Sequence, residues 1–148
     1  MTIRKVLKED INNGLLDIFI EGYRYHCSGR PDVFSNKSDE ALHDDLEHMV
    51  PSDNILVIEE DGKIVGYIVY EIKDKHAKTM WVDQLVISKD CRGKGYGKEL
   101  MNKIDEIAKN EDCVRVELEC WSFNENALGM YEHLGFGEQR VKLEKKVR

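Results

Sequence analysis

From Val86 to Ile104 the chain reads VISKDCRGKGYGKELMNKI: an apolar segment stops, three glycines follow at alternate positions among basic residues, and apolar residues then resume at a different period. Before the break, "TMWVDQLVI" is largely apolar, as expected for an internal strand. After it, Leu100, Met101, Ile104, Ile107 and Ala108 recur at helical spacing. The next segment, "VRVELEC", alternates and places Val114, Val116, Leu118 and Cys120 on one strand face. A strand, a tight loop, a helix and a second strand in this order predict a parallel pair joined by a crossover helix, which confines the chain to mixed α/β architectures.

The flanking segments fill in that architecture. Ile3 to Leu7 reads as a short strand, and "EDINNGLLDIFIEGYRYHC" carries a helical apolar stripe that Gly29 and Pro31 end. Ser38 is placed to cap a second helix running to about Met49. Asp61-Gly62 between two β-rich runs predicts a hairpin, because both residues tolerate positive φ. "NENALGMYEHLGF" predicts a short helix stopped by Gly135, and "GEQRVKLEKKV" a last strand. No repeat or linker divides residues 1–148, so one domain is expected. Its sheet should have about six or seven strands, flanked by about four helices.

The glycine loop has a chemistry of its own. Glycines let backbone N–H groups approach a ligand with no Cβ in the way, and a helix N-terminus adds unpaired donors and a partial positive charge. Arg92, Lys94 and Lys98 add full charges, so the loop suits a pyrophosphate. Two familiar nucleotide loops do not fit. Glu99 stands where a Walker A loop needs Ser or Thr after Gly97-Lys98, and the G-x-G-x-G spacing is not the G-x-G-x-x-G of a dinucleotide fingerprint.

Composition narrows the partners. A net charge of −7 argues against nucleic acid as the ligand. Between Asp32 and Asp61 there are ten acidic residues and one lysine, which reads either as a solvated face or as a field attracting a cationic substrate. The absence of a long apolar run points to no membrane and a cytoplasmic location. Cys27, Cys91, Cys113 and Cys120 lack metal-ligand spacing and read as free thiols, and the five histidines are scattered, so no metal is expected.

Arg92-x-x-Gly95-x-Gly97 resembles the acyl-CoA pyrophosphate loop of the GNAT acetyltransferase superfamily, R/Q-x-x-G-x-G/A after a central strand. "DQLVISKDCRGKGYG" looks like that family's fourth strand and loop, and "NENALGMYEHLGF" like its later N-x-x-A-x-x-x-Y-x-x-x-G-F segment. The resemblance covers roughly Trp81 to Phe136. It implies the GNAT fold, with acetyl-CoA as co-substrate and no metal. Leu85, Val86 and Ile87 would bind the pantetheine arm through their backbone. Arg92, Gly93, Lys94, Gly95, Tyr96, Gly97 and Lys98 would hold the pyrophosphate. Asn124 would reach the cofactor with Ala127 packed beside it, and Tyr131 would lie next to the thioester sulfur. One departure is Lys89, where many members have proline.

The implied reaction is direct transfer of an acetyl group to a primary amine. The amine must lose a proton before it attacks, because a lysine-like group is protonated at neutral pH. Asp83, two residues before Leu85 and on the same strand face by simple alternation, is the expected base, directly or through a water. Its place in an apolar run implies a buried carboxylate that needs a partner or a purpose. A backbone N–H around Leu85 to Ile87 would steady charge on the carbonyl oxygen, and Tyr131 would protonate the leaving sulfur. The acceptor reads as a small cationic amine, with a protein N-terminus or lysine as the alternative peptide acceptor and a homodimer allowed for. A reading from another class is a catalytically silent acyl-CoA-binding module. Glu21, Tyr23, Tyr25 and Asp32 are candidate groove residues, and Trp121 and Phe123 read as packing or as walls of the acceptor site.

Overall fold

The computed structural model describes residues 1–148. Five strands, β1 (Thr2–Lys5), β2 (Ile55–Glu60), β3 (Lys63–Asp74), β4 (Lys78–Ile87) and β5 (Arg115–Leu118), form one sheet in sequence order. β1 to β4 are antiparallel neighbours, and β4 and β5 are parallel, joined by the crossover helix α3 (Tyr96–Asn110). The helices α1 (Leu15–Gly29), α2 (Asp39–Met49) and α4 (Glu125–His133) complete the fold. The hairpin turns at Asp61 and Gly62, with φ of 52° and 78°, and Ser38 Oγ caps α2 by accepting from Ala41 N at 3.1 Å.

Each sheet face has its own core. Leu15, Ile18, Phe19, Leu42 and Leu46 of α1 and α2 pack on one face against Val57, Ile64, Tyr67 and Val69. Leu100, Met101, Ile104 and Ala108 of α3 pack on the other against Ile58, Ile68, Met80 and Val82, with Tyr131 of α4 beside them. The first helical stripe is interrupted at Gly14 (φ +108°), where an added Cβ would lie 2.5 Å from the Ile64 carbonyl. Gly22 brings α1 close to β4, since a Cβ there would lie 3.1 Å from Val86 Cγ2.

The expected strand count and last strand are corrected. Residues 137–148 form no strand and make no backbone–backbone hydrogen bond. Val141, Leu143 and Val147 are 65%, 87% and 85% exposed, so the alternation that predicts a strand there finds no face to bury. Side chains hold this tail instead: Gln139 donates to Glu117 at 2.9 Å, and Arg30 pairs with Glu144 at 2.9 Å. Val114 also departs from its expected buried face, being 62% exposed just before β5 begins.

Candidate functional site

A slot opens in the sheet where β4 and β5 part. β4 keeps β3 along one edge to Ile87 but pairs with β5 only from Thr79 to Val82, which faces Leu118. The residues from Asp83 to Ile87, including Leu85 and Val86, therefore have one edge with no partner strand. A bulge marks the parting: Tyr70 faces Val82 and Val69 faces Gln84, leaving Asp83 as the extra residue.

That bulge resets which way the side chains point. Met80 and Val82 lie on the α3 face, as do Leu85 and Ile87 after the bulge, whereas Val86 packs toward α1. Gln84 also turns to the α1 face, where its Oε1 accepts from the Tyr67 hydroxyl at 2.8 Å. Asp83 belongs with Gln84 and not with Leu85, which overturns the shared-face expectation. Nor is it a buried carboxylate: it is exposed and makes no ion pair. Burial pushes the Tyr67 phenol far above its ordinary range, and the nearby Asp83 charge pushes it further.

The glycine loop lies at the end of this slot. None of the six backbone amides from Gly93 to Lys98 has an acceptor within the chain, the first bond of α3 being Glu99 N to Gly95 O at 3.0 Å. Gly93 and Gly95 both have φ of +81° with open space where a Cβ would stand. Gly97 differs, because a Cβ there would lie 2.9 Å from the Met130 sulfur, so it lets α4 close on α3. Two carboxylates hold the loop's edges. Glu21 accepts from Lys89 N at 3.1 Å and from Arg92 at 3.3 Å, while Glu60 accepts from the Tyr96 hydroxyl and pairs with Lys94 at 3.5 Å. Proline at position 89 would lack the amide that Glu21 uses. Glu21 thus serves the loop, not the groove in which the sequence reading put it.

Across the slot, Tyr131 is packed edge-on to Phe136 at 5.7 Å. Burial pushes its phenol up to about 12, with the neighbouring Cys120 thiol adding to the shift, so the hydroxyl keeps its proton through the neutral and mildly alkaline range. Asn124 caps α4, its Oδ1 accepting from Ala127 N at 3.3 Å and from the Tyr25 hydroxyl at 3.4 Å. That leaves the Asn124 amide nitrogen as a donor. The acidic run from Asp32 to Asp61 does not make one free patch: Asp32, Asp39, Asp45, Asp53, Glu59 and Glu60 are each paired with a lysine or arginine. His43, Asp44 and Glu47 put their ligand atoms within 4.8 Å of one another on α2.

The raised phenols carry a stability consequence. Tyr67, Tyr96 and Tyr131 all lose protons less readily when folded, Tyr96 because of its hydrogen bond to Glu60. A raised acid contributes stability that is full below its unfolded pKa, about 10 for tyrosine, and is lost as pH climbs toward the folded value. Melting temperature measured against pH should therefore fall above about pH 10. Tyr131→Phe should soften the fall.

The family model described as "Acetyltransferase (GNAT) family" matches residues 14–136. The chain belongs to the GNAT family of acetyltransferases. The match runs from Gly14 through the loop to Phe136 and stops where the unpaired tail begins. An uncharacterized N-acetyltransferase from Methanocaldococcus jannaschii is 27% identical over 146 residues, 95% of this chain and 62% of that protein. The spermine/spermidine N(1)-acetyltransferase of Bacillus subtilis is 28% identical over 82 residues, 51% of this chain and 54% of that protein. The chain thus spans little more than half the length of these curated relatives. Among solved structures, a mutant of the BH1408 protein from Bacillus halodurans superposes with a TM-score of 0.91 at 22% identity, covering all of both chains, and shares the GNAT fold. No helix is long and apolar enough to cross a membrane.

Proposed function

We propose that the chain is an acetyl-CoA-dependent N-acetyltransferase acting on a primary amine. What carries the reading is the alignment of a strand edge without a partner with six unpaired amides at its end. The pantetheine arm of CoA carries amides that can pair with a strand edge, and its pyrophosphate suits the loop. The donor set therefore fits the cofactor by chemistry as well as by resemblance. Acetyl-CoA supplies the activated acetyl group. The edge from Leu85 to Ile87 aligns it, and the amides of Gly93 to Lys98 bind its anionic end, with Lys98 adding an unpaired charge and Arg92, held by Glu21, at the edge. Asn124 offers its amide nitrogen to the arm, and Ala127 packs beside it.

The residues of the slot divide the proton work. Asp83 is exposed and unpaired on the α1 face, so it can take a proton from an incoming amine, directly or through a water. A backbone N–H on the free edge of β4 can donate to the carbonyl oxygen as charge develops there. Tyr131 retains its proton and can deliver it to the departing sulfur. A thiol is acidic enough to leave largely unaided, so Tyr131→Phe should lower kcat by about 10- to 1000-fold with little change in acetyl-CoA Kd. Full activity in that variant with several amines would return Tyr131 to a packing role. The experiment for the whole reading is acetyl-CoA-dependent thiol release over a panel of small amines and peptides. Acetyl-CoA binding without turnover on any of them would favour the silent acyl-CoA-binding module.

A further inference from the structure

Three separate segments bring four aromatic rings together on the α1 side of the slot. His26 lies near the end of α1, Phe34 follows in the α1–α2 connection, and Trp121 and Phe123 follow β5. His26 and Phe34 are 5.4 Å apart, Phe34 and Trp121 5.9 Å, and Trp121 and Phe123 6.3 Å, the last pair stacked. Gly29 makes the arrangement feasible, because a Cβ there would lie 2.2 Å from the Phe123 ring. An open groove of about 430 Å³ runs past Gly29, Arg30, Asp32, Trp121, Phe123 and Glu144. Tyr25 packs on Phe123 at 5.7 Å and donates to Asn124 Oδ1 at 3.4 Å, so this groove adjoins a residue proposed to reach the cofactor.

Two cations already line the groove, Arg30 and Lys146, and Arg30 is the one seated on the aromatic face. The Arg30 guanidinium lies over the Trp121 ring at 4.7 Å, and it is clamped by Asp32 and Glu144, each through two oxygens at 2.9 to 3.1 Å. An aromatic face with a carboxylate on either side is the combination that selects a cation over a neutral group of the same size. Arg30 caps the C-terminal end of α1 in a non-helical conformation, and Glu144 lies on the tail that no backbone bond ties down. The Arg30 backbone is held by bonds to His26, Val33 and Phe34, so it is the long side chain alone, and the Glu144 tail, that can give way.

We infer that this groove is the acceptor's second recognition point: the substrate is a di- or polyamine whose distal ammonium takes the place of the Arg30 guanidinium over Trp121, between Asp32 and Glu144. This rests on the N-acetyltransferase reading and names its substrate class. One amino group is then held by the groove while another reaches the slot beside Asp83. Arg30 acts as a tethered competitor. A monoamine that presents its one amino group at the slot has no second cation to leave in the groove.

The test is calorimetric binding of spermidine without acetyl-CoA, with the uncharged 1,8-octanediol as the control, so its outcome does not depend on whether acetyl transfer occurs. Arg30→Ala removes the competitor and should tighten spermidine by about fivefold or more, the equivalent of one cation–π contact, while leaving the uncharged 1,8-octanediol unchanged. Adding Asp32→Asn and Glu144→Gln to Arg30→Ala should abolish the gain. Arg30→Met, which keeps the aliphatic stem on Trp121, serves as a second variant should the alanine protein fold poorly. Spermidine binding no tighter in either Arg30 variant than in the parent would overturn the inference, as would a gain that survives loss of both carboxylates. Monoamine acetylation with no spermidine preference would leave the enzyme reading intact and sink the groove alone.

Discussion

Gly95→Asp is expected to raise the acetyl-CoA Kd by about 100-fold or more, since it sets a carboxylate among the amides proposed to bind pyrophosphate and each lost charge-assisted bond is worth about 1.5–3 kcal/mol. The fold should survive. Nothing lies within 4 Å of a Cβ at Gly95, and the cost is the strain of φ +81°, on the order of 1–2 kcal/mol and least for Asp or Asn. Gly97→Asp would be a poorer probe, because its Cβ meets Met130 and any loss of affinity would mix with disturbed α4 packing. Isothermal titration with acetyl-CoA, alongside a thermal melt, reads both quantities. Unchanged affinity in a folded Gly95→Asp protein would remove the loop from the binding site.

The second large effect belongs to Asp83→Asn. The substitution keeps the shape at an exposed bulge position, so the melting temperature should scarcely move. Loss of a general base is typically worth about 100- to 10,000-fold, and kcat/KM near neutral pH should fall toward the lower end of that range because a bridging water can partly substitute. As pH rises toward the amine's own pKa, about 10 for an alkylamine, the free base becomes abundant and the variant should recover. A loss smaller than about threefold at pH 7 would assign the proton transfer to solvent or another group.

How much of this was legible in the sequence depends on how local each signal is. The loop's backbone was legible at Gly93 and Gly95, which have positive φ, and at Tyr96, where the helix begins, but not at Gly97, a helical residue that makes room for Met130. The Ser38 cap and the Asp61-Gly62 hairpin are equally local and form where expected. Asp83 was correctly singled out as unusual in its strand, but for the wrong reason. Alternation cannot reveal a bulge, which arises from the pairing of two strands, so its face and its exposure were both misjudged. The tail failed for a related reason: alternating residues specify a strand only where pairing also buries them, and although the outer edge of β5 has no partner, Val141, Leu143 and Val147 find no apolar face there. The aromatic groove left the weakest trace, since Arg30, Phe34, Trp121 and Glu144 come from segments far apart in the chain. Trp121 and Phe123 read equally well as packing until Arg30 is seen lying over the ring.

The central claim is that this chain moves an acetyl group from acetyl-CoA to a primary amine at the slot between β4 and β5. The most direct test is mass spectrometry of an amine panel incubated with acetyl-CoA and purified protein, with CoA thiol release followed in parallel. The account predicts an N-acetylated product formed in step with thiol release, and loss of both in Gly95→Asp at subsaturating acetyl-CoA. Tight acetyl-CoA binding with no acetylated amine, or product formation indifferent to Gly95→Asp, would contradict it.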